Sequence, residues 1–475
     1  MFKNEFIRSD LNMNEIIPHW QPVFPNATPP IFQQDWAGRS LFYAPGWLVR
    51  VPENSTAAFL ESLHSASPEG LQLADELLRR AEQGQRAWAD LHNRPFHPVC
   101  LTLYLNNTCN LNCGYCFSEP GLRAPVRLSL EAVQAAAEIV TGYCQASRKP
   151  FTVVFHGGGE PTLEHVLIFQ TLDWLEQRTD RDGLALFRYL ATNGVMPAAL
   201  AERLARRFDL VGLSCDGPQD IQDSQRPFRK PGRRGSSRYV EQTARAVHAA
   251  GKALHVRVTV TPETLSRQAE IAEYICRQLR PQEIHVEPVY VSGQTGRAMS
   301  FETGQAEAYV EAFFQARSVA GEYGVKWLAS GSRPAEVHGA YCHVWRDVLN
   351  LTPEGAATAC FALVQAEDAR ERGVDLGGWE GASGRFTLDQ GRVEAVRRAL
   401  GREPQEECLT CFNRYSCVRQ CPETCLLDAQ ARTCGFRCRV QALMTDRLIQ
   451  RTAERLGSEM TNPDEILGGP VGWDG

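Results

Sequence analysis

From residue 100 onward, short apolar runs rich in β-branched and aromatic residues alternate with longer stretches whose apolar positions recur every three to four residues. That alternation predicts βα units around a parallel sheet. Six strands are expected, over 100–105, 151–156, 185–191, 210–214, 255–260 and 284–289. The same pattern predicts helices over 130–144, 164–178, 198–207, 238–250, 264–279 and 304–323. The first helix is the clearest: Ser129 can cap it, and Val133, Ala136, Ala137 and Val140 fall on one face. Upstream, a Pro-rich start gives way to apolar runs at 41–43 and 47–51 and then to two helical patterns ending near 91, the outline of a small α+β module. Downstream lie a Gly-rich stretch over 373–391, a last helix over 439–454, and a tail rich in Gly and Pro that is expected to be disordered.

A chain of 475 residues, at roughly 150 per domain, holds two to four domains with a large core. The pattern divides it into 1–96, 97–325, 326–456 and a flexible 457–475. No apolar run approaches the ~20 residues of a membrane span. Residues 1–14 lack the apolar core of a secretory signal, so a cytoplasmic protein is expected. A net charge of −6 gives no global field for a polyanion, which argues against nucleic acid as a partner. One basic run, Arg226, Arg229, Lys230, Arg233, Arg234 and Arg238, reads as a solvated loop, with an acidic peptide or RNA phosphate as the other reading. The 16 cysteines change the picture. In a compartment that keeps thiols reduced, they favour metal or cluster ligation over disulfides.

Cys109, Cys113 and Cys116 form a C-x3-C-x2-C run on the loop after the first strand, with Gly114 helping it to curl. Cysteine thiolates are the usual ligands of iron–sulfur clusters, and three of them leave one iron of a four-iron cluster open to a small molecule. A structural zinc site, the other reading, wants a closed set of four. These residues resemble the radical S-adenosylmethionine (SAM) superfamily. The resemblance extends to His156-Gly157-Gly158-Gly159-Glu160-Pro161-Thr162, to Thr192-Asn193-Gly194 and to Ser214-Cys215-Asp216-Gly217-Pro218. Each segment follows a successive predicted strand, which puts all of them at one mouth of a barrel.

The resemblance implies an α/β fold with a partial (β/α)6 TIM-like barrel, open on one side, flanked by a small N-terminal α+β region and a C-terminal Cys-rich iron–sulfur domain. Cys109, Cys113 and Cys116 would hold a [4Fe-4S] cluster whose open iron chelates SAM. SAM contacts are implied at Tyr115, Gly157, Gly158, Gly159, Glu160, Pro161, Thr192, Asn193, Ser214 and Arg257. For Arg257 a strand-edge charge with a local partner is an equal alternative.

A second set runs Cys342-x12-Gly355-x4-Cys360, then Cys408-x2-Cys411-x5-Cys417-x3-Cys421-x16-Cys438. Cys408 and Cys411 alone would suit a zinc knuckle, but the complete order resembles the SPASM domain, which carries two auxiliary iron–sulfur clusters. The resemblance assigns Cys408, Cys411, Cys417 and Cys438 to the distal cluster and Cys342, Cys360 and Cys421 to the nearer one, for three [4Fe-4S] clusters in all. The nearer site is a ligand short. Its iron is open, or Cys425, Cys434 or another residue completes it. Cys144, Cys215 and Cys276 are expected to be small buried apolar groups, and Cys100 carries no assignment.

In this superfamily SAM is reductively cleaved to methionine and a 5′-deoxyadenosyl radical that abstracts hydrogen. Two auxiliary clusters favour net oxidation, so the resemblance implies an oxidoreductase that crosslinks or otherwise modifies a ribosomally made precursor peptide. The reductant would be a partner such as flavodoxin or ferredoxin. Three alternatives stand beside this: anaerobic sulfatase maturation, a radical SAM RNA-modifying enzyme, and a non-enzymatic iron–sulfur scaffold. The sulfatase-maturating family carries Asp directly after the Gly-x4-Cys cysteine, where this chain has Phe361. Asp216, Glu160, Glu287 and Tyr115 are candidates for the mouth, but each reads better as a cap or solvated position, so no catalytic base is assigned. Residues 41–91 loosely fit a leader-binding module of peptide-modifying members, which would take a leader by strand addition along 47–51. A helix pair capping the barrel edge is the other reading.

Overall fold

The computed structural model describes residues 19–65, 72–118, 123–230, 232, 235–289, 301–338, 346–400, 406–417, 435–458 and 466–471. The described residues open with an antiparallel meander of β1 (Gln21–Pro22), β2 (Phe32–Trp36), β3 (Arg39–Ala44) and β4 (Trp47–Pro52). Helices α1 (Thr56–His64) and α2 (Gln72–Asn93) follow, and Ile31, Phe42, Val49 and Phe59 are buried together in a small core of their own. The strands-then-helices order expected from 41–91 is therefore observed.

Next comes the repeating unit. In chain order it contains β5 (Cys100–Tyr104), α3 (Leu130–Ser147), β6 (Phe151–His156), α4 (His165–Asp182), β7 (Leu186–Thr192), α5 (Ala198–Arg207) and β8 (Leu210–Ser214). It continues through α6 (Gln219–Gln225), α7 (Ser237–Ala249), β9 (Ala253–Val260), α8 (Gln268–Gln278), β10 (Glu283–Pro288), α9 (Ala306–Glu322) and β11 (Lys326–Leu328). Strands β5 to β11 pair in sequence order and all in parallel. All six expected strands are present, with β6 and β8 at the expected bounds.

Local chemistry explains the elements. Ser129 accepts a hydrogen bond from the Ala132 amide at 3.2 Å and starts α3, which ends where Arg148 turns left-handed at φ 54°. Along β6, Phe151, Val153 and Phe155 are buried while Thr152, Val154 and His156 are half-buried, because alternate side chains leave opposite faces of a strand. Phe155 meets Phe208 edge-on, with ring centroids 5.5 Å apart. Cys144, Cys215 and Cys276 are buried, as expected.

Two features depart from the sequence reading. Strand β12 (Val348–Leu351) pairs in parallel with β5, Val348 opposite Cys100, and leads into the antiparallel strands β13 (Ala356–Thr358), β14 (Asp375–Glu380) and β15 (Arg385–Leu388). One eleven-stranded sheet thus runs through both the barrel region and the cysteine-rich region. Helix α10 (Phe436–Ser458) follows.

Second, part of the tail expected to be disordered is a strand. β16 (Leu467–Pro470) pairs antiparallel with β4, from Leu467 opposite Arg50 to Pro470 opposite Trp47. Val471 is fully buried and donates its amide to the Gly46 carbonyl at 3.1 Å. The glycines that suggested disorder serve close packing: a Cβ on Gly468 would stand 3.0 Å from Leu73, and one on Gly469 3.1 Å from Leu456. The edge along 47–51 expected to receive a leader strand is consequently paired on both sides, by β3 and by β16. Among the described residues, no helix is long and apolar enough to cross a membrane.

Candidate active site

The loops that leave the C-terminal ends of β5 to β10 surround a cavity of about 360 Å³. Cys109, Cys113, Cys116 and Tyr115 line it, with Gly157, Gly159, Glu160, Pro161, Thr192, Asn193, Ser214 and Arg257. The structure therefore brings the separate sequence motifs to one wall. Gly158 lies behind that wall, where a Cβ would press on the Asn106 carbonyl at 3.1 Å and Val364 at 3.3 Å.

The cysteine loop is held from two sides. On one, the Glu160 amide donates to the Thr108 carbonyl at 2.8 Å and the Asn106 side chain to the Glu160 carbonyl at 3.0 Å. These contacts bring the backbones so close that a Cβ on Gly159 would fall 1.8 Å from the Thr108 oxygen. On the other, the Asn112 and Gly114 amides donate to the Pro227 and Gln225 carbonyls at 2.8 and 3.2 Å, and Arg229 Nε to the Cys109 carbonyl at 3.2 Å.

Glu160 lines the cavity, yet its carboxylate is engaged by the protein. It accepts from the Thr162 amide and hydroxyl at 3.1 and 2.7 Å, the Thr192 hydroxyl at 2.7 Å and the Asn193 amide at 2.8 Å. Burial raises its pKa, and the hydrogen bonds oppose that rise. Asn193 in turn donates to Asn110 Oδ1 at 2.8 Å and lies 3.6 Å from Cys109 Sγ. The three motifs are thus one hydrogen-bonded unit.

Asp216 departs from its reading as a cap or solvated carboxylate: it is 0% exposed. It accepts from Arg226 Nε and Gln225 Nε2, both at 2.9 Å, from the Thr259 amide at 3.0 Å, and from the Tyr115 hydroxyl. The Arg226 guanidinium sits over the Tyr115 ring, 5.4 Å from its centroid. The basic run is accordingly not one solvated patch. Arg226 is buried at the site, Arg229 binds the cysteine loop, and Arg238 lies over the Tyr239 ring. Arg233 and Arg234 fall outside the described residues.

Sequence reasoning missed His285 and the position of Phe361 and gave no role to His156 at the head of the glycine motif, yet all three line the cavity. Glu287, one of the sequence candidates for the mouth, lines it as well. A usable signal existed: His255, Arg257 and Thr259 on β9, and Glu283, His285 and Glu287 on β10, are polar at every second position of otherwise apolar strands. Burial, then the charge of Arg257, pushes both His156 and His285 down to about 4, which leaves neutral imidazoles at neutral pH. Phe361 stands edge-on to Phe117 and His156, and its carbonyl accepts the Tyr104 hydroxyl at 2.8 Å. Its neighbour Cys360 is buried, so the second cysteine set reaches the cavity wall through this pair.

Cys408, Cys411 and Cys417 follow one another through a turn packed on α10, which carries the exposed Cys438. Asn413 fixes that turn by donating to the Gln441 carbonyl at 3.2 Å and accepting from Thr445 at 3.0 Å. The Cys417 thiol donates to Gln441 Oε1 at 2.9 Å. Cys342, Cys421, Cys425 and Cys434 lie outside the described residues.

The first cysteine loop fits a cluster better than a single ion. Among the described residues, the sulfurs of Cys109, Cys113 and Cys116 do not all lie within 4.8 Å of one another. Zn–S bonds of about 2.3 Å would draw tetrahedral sulfurs to about 3.8 Å apart. Burial pushes Cys109 and Cys113 up to about 12, and a bound cation would favour their thiolates.

A family model for the Radical SAM superfamily matches residues 103–275, from β5 into α8. Over 130 residues the chain is 31% identical to a cysteine-type anaerobic sulfatase-maturating enzyme of Clostridium perfringens strain ATCC 13124, and 30% identical to that of strain 13. Each match takes in 25% of this chain and 32% of the relative, so it spans about a third of the length of these curated relatives. The solved structure described as native anSMEcpe with bound AdoMet has a TM-score of 0.59 at 17% identity, covering 76% of this chain and 100% of that one. SuiB of Streptococcus suis bound to S-adenosylmethionine has a TM-score of 0.51 at 16% identity, covering 77% and 81%. At such identities the likeness is one of fold. With the cysteine loop, the glycine loop and the Thr192-Asn193 turn meeting at one cavity inside the matched segment, residues 103–275 form a radical SAM domain.

Proposed function

We propose that the chain is a maturase that binds SAM at this cavity and oxidatively modifies a peptide, forming a crosslink or an equivalent two-electron product. One observation carries the reading: the wall that holds Cys109, Cys113 and Cys116 also holds Phe361, the neighbour of buried Cys360. Bound on these cysteines, the clusters supply the electron that cleaves SAM and a nearby acceptor for the electron that leaves the substrate. The chain's residues do the rest. Gly157 and Gly159 keep the backbone bare for close approach, and Thr192 and Asn193 are held in place by Glu160. Phe117 and Phe361 form an apolar wall that excludes water. Further support comes from solved relatives of like fold, described as anSMEcpe with a Kp18Cys peptide and SuiB with its precursor peptide SuiA. On this reading Cys342, Cys360 and Cys421 hold one auxiliary cluster and Cys408, Cys411, Cys417 and Cys438 the other. A flavodoxin or ferredoxin supplies electrons, and the protein works in the cytoplasm.

The test is anaerobic reconstitution of the wild type and of a Cys109/Cys113/Cys116→Ala variant. About twelve irons should fall to about eight with SAM cleavage abolished, and a co-expressed precursor peptide should lose 2 Da, about two hydrogens. Zinc in place of iron, or one cluster only, would overturn the reading. Sulfatase maturation is the second reading, favoured by the curated relatives and opposed by Phe361. Aldehyde formation on a cysteine-containing sulfatase peptide would establish it.

A further inference from the structure

We propose that His255, Glu283 and His285 form a mononuclear site for a divalent transition metal ion, zinc being the ion their spacing suits. β9 and β10 are neighbouring parallel strands in which Glu283 stands opposite His255 and His285 opposite Arg257. All three side chains therefore leave the same face of the sheet. Glu283 Oε2 lies 3.7 Å from His255 Nε2 and 3.5 Å from His285 Nε2, and the three candidate ligand atoms lie within 4.8 Å of one another. These separations exceed a hydrogen bond of about 2.7–3.2 Å. They approach the edge of a tetrahedron around zinc, about 3.4 Å for bonds of about 2.0–2.1 Å.

The surroundings favour the same assignment. The other oxygen of Glu283 faces Lys326 Nζ at 3.4 Å, which turns Oε2 toward the imidazoles as outer partners of metal ligands commonly do. A single carboxylate beside Lys326 and Arg257 is a poor site for calcium or magnesium, which gather several hard oxygens. Two imidazoles select instead for zinc and its neighbours in the first transition row. Three protein ligands leave a coordination position for water, and one of them, His285, lines the cavity. No cysteine is among the ligands, which separates this site from both cysteine sets.

Zinc is the probe. Full-length, cluster-loaded protein is equilibrated with zinc, desalted and analysed for zinc and iron, and the zinc shell is read by X-ray absorption. The wild type should retain about one zinc in a shell of nitrogen and oxygen with imidazole scattering. His255→Gln/His285→Gln should lose that zinc while its iron content stays unchanged. If the double variant fails to load iron and so has not folded, Glu283→Gln decides, with an expected loss of affinity of at least tenfold. Sulfur in the zinc shell, no zinc on the wild type, or equal retention by folded ligand variants would overturn the assignment.

Discussion

Asp216 and Arg226 illustrate what a residue contributes beyond its motif. Arg226→Met would leave the Asp216 carboxylate buried without its cation, at a cost of about 3–5 kcal/mol, which urea unfolding of the anaerobic protein would register. Asp446 gives a pH prediction. Burial raises its pKa to about 6, against which the Trp20 Nε1–H bond at 2.8 Å only partly works. A carboxyl raised in the folded state contributes stability that is fully present below about pH 4 and lost as pH rises through 6. Wild-type stability should therefore fall by up to about 3 kcal/mol across that window, and Asp446→Asn should flatten the profile. At this scale the sequence was readable where residue type alone implies chemistry, as with Cys109 or Gly159. It was unreadable for Arg226, because a basic run looks the same whether one member is buried on a carboxylate or all are solvated.

Among elements, local signals sufficed wherever the partner was near in sequence. Ser129 and the apolar stripe of Val133, Ala136 and Val140 foretold α3. Removing its cap with Ser129→Ala should cost about 1 kcal/mol in thermal unfolding. The meeting of two loops is a stricter matter. Gly159→Ala would place a methyl group 1.8 Å from the Thr108 carbonyl, forcing the glycine loop off the cysteine loop. Iron content should drop by about four atoms per chain while circular dichroism stays near wild type. What the pattern did not disclose was pairing between distant segments. Val348–Leu351 is a short apolar run with no mark to say that its neighbour is β5, almost 250 residues earlier.

At the level of the whole molecule, β5 is flanked by β6 and β12, so the strand that launches the first cysteine loop is shared by the barrel and the cysteine-rich region. Movement of one region against the other would have to break strand pairing, which fixes the Phe361 wall relative to Cys109. Deleting 459–475 would strip β16 from β4 and uncover the edge of β4 and Leu73. Limited proteolysis should then cut preferentially within 21–93, while the parallel core of β5 to β11 persists.

That same pairing sets an order of events during synthesis. β4 and β16 lie more than 400 residues apart, and at about 5–20 residues per second the ribosome needs roughly 20–80 s to cover the interval. Through that time the outer edge of β4 offers its backbone donors and acceptors to any extended chain nearby. The nascent protein has time to fold its parallel core while this edge is still open, and the sheet made first is the last to be completed.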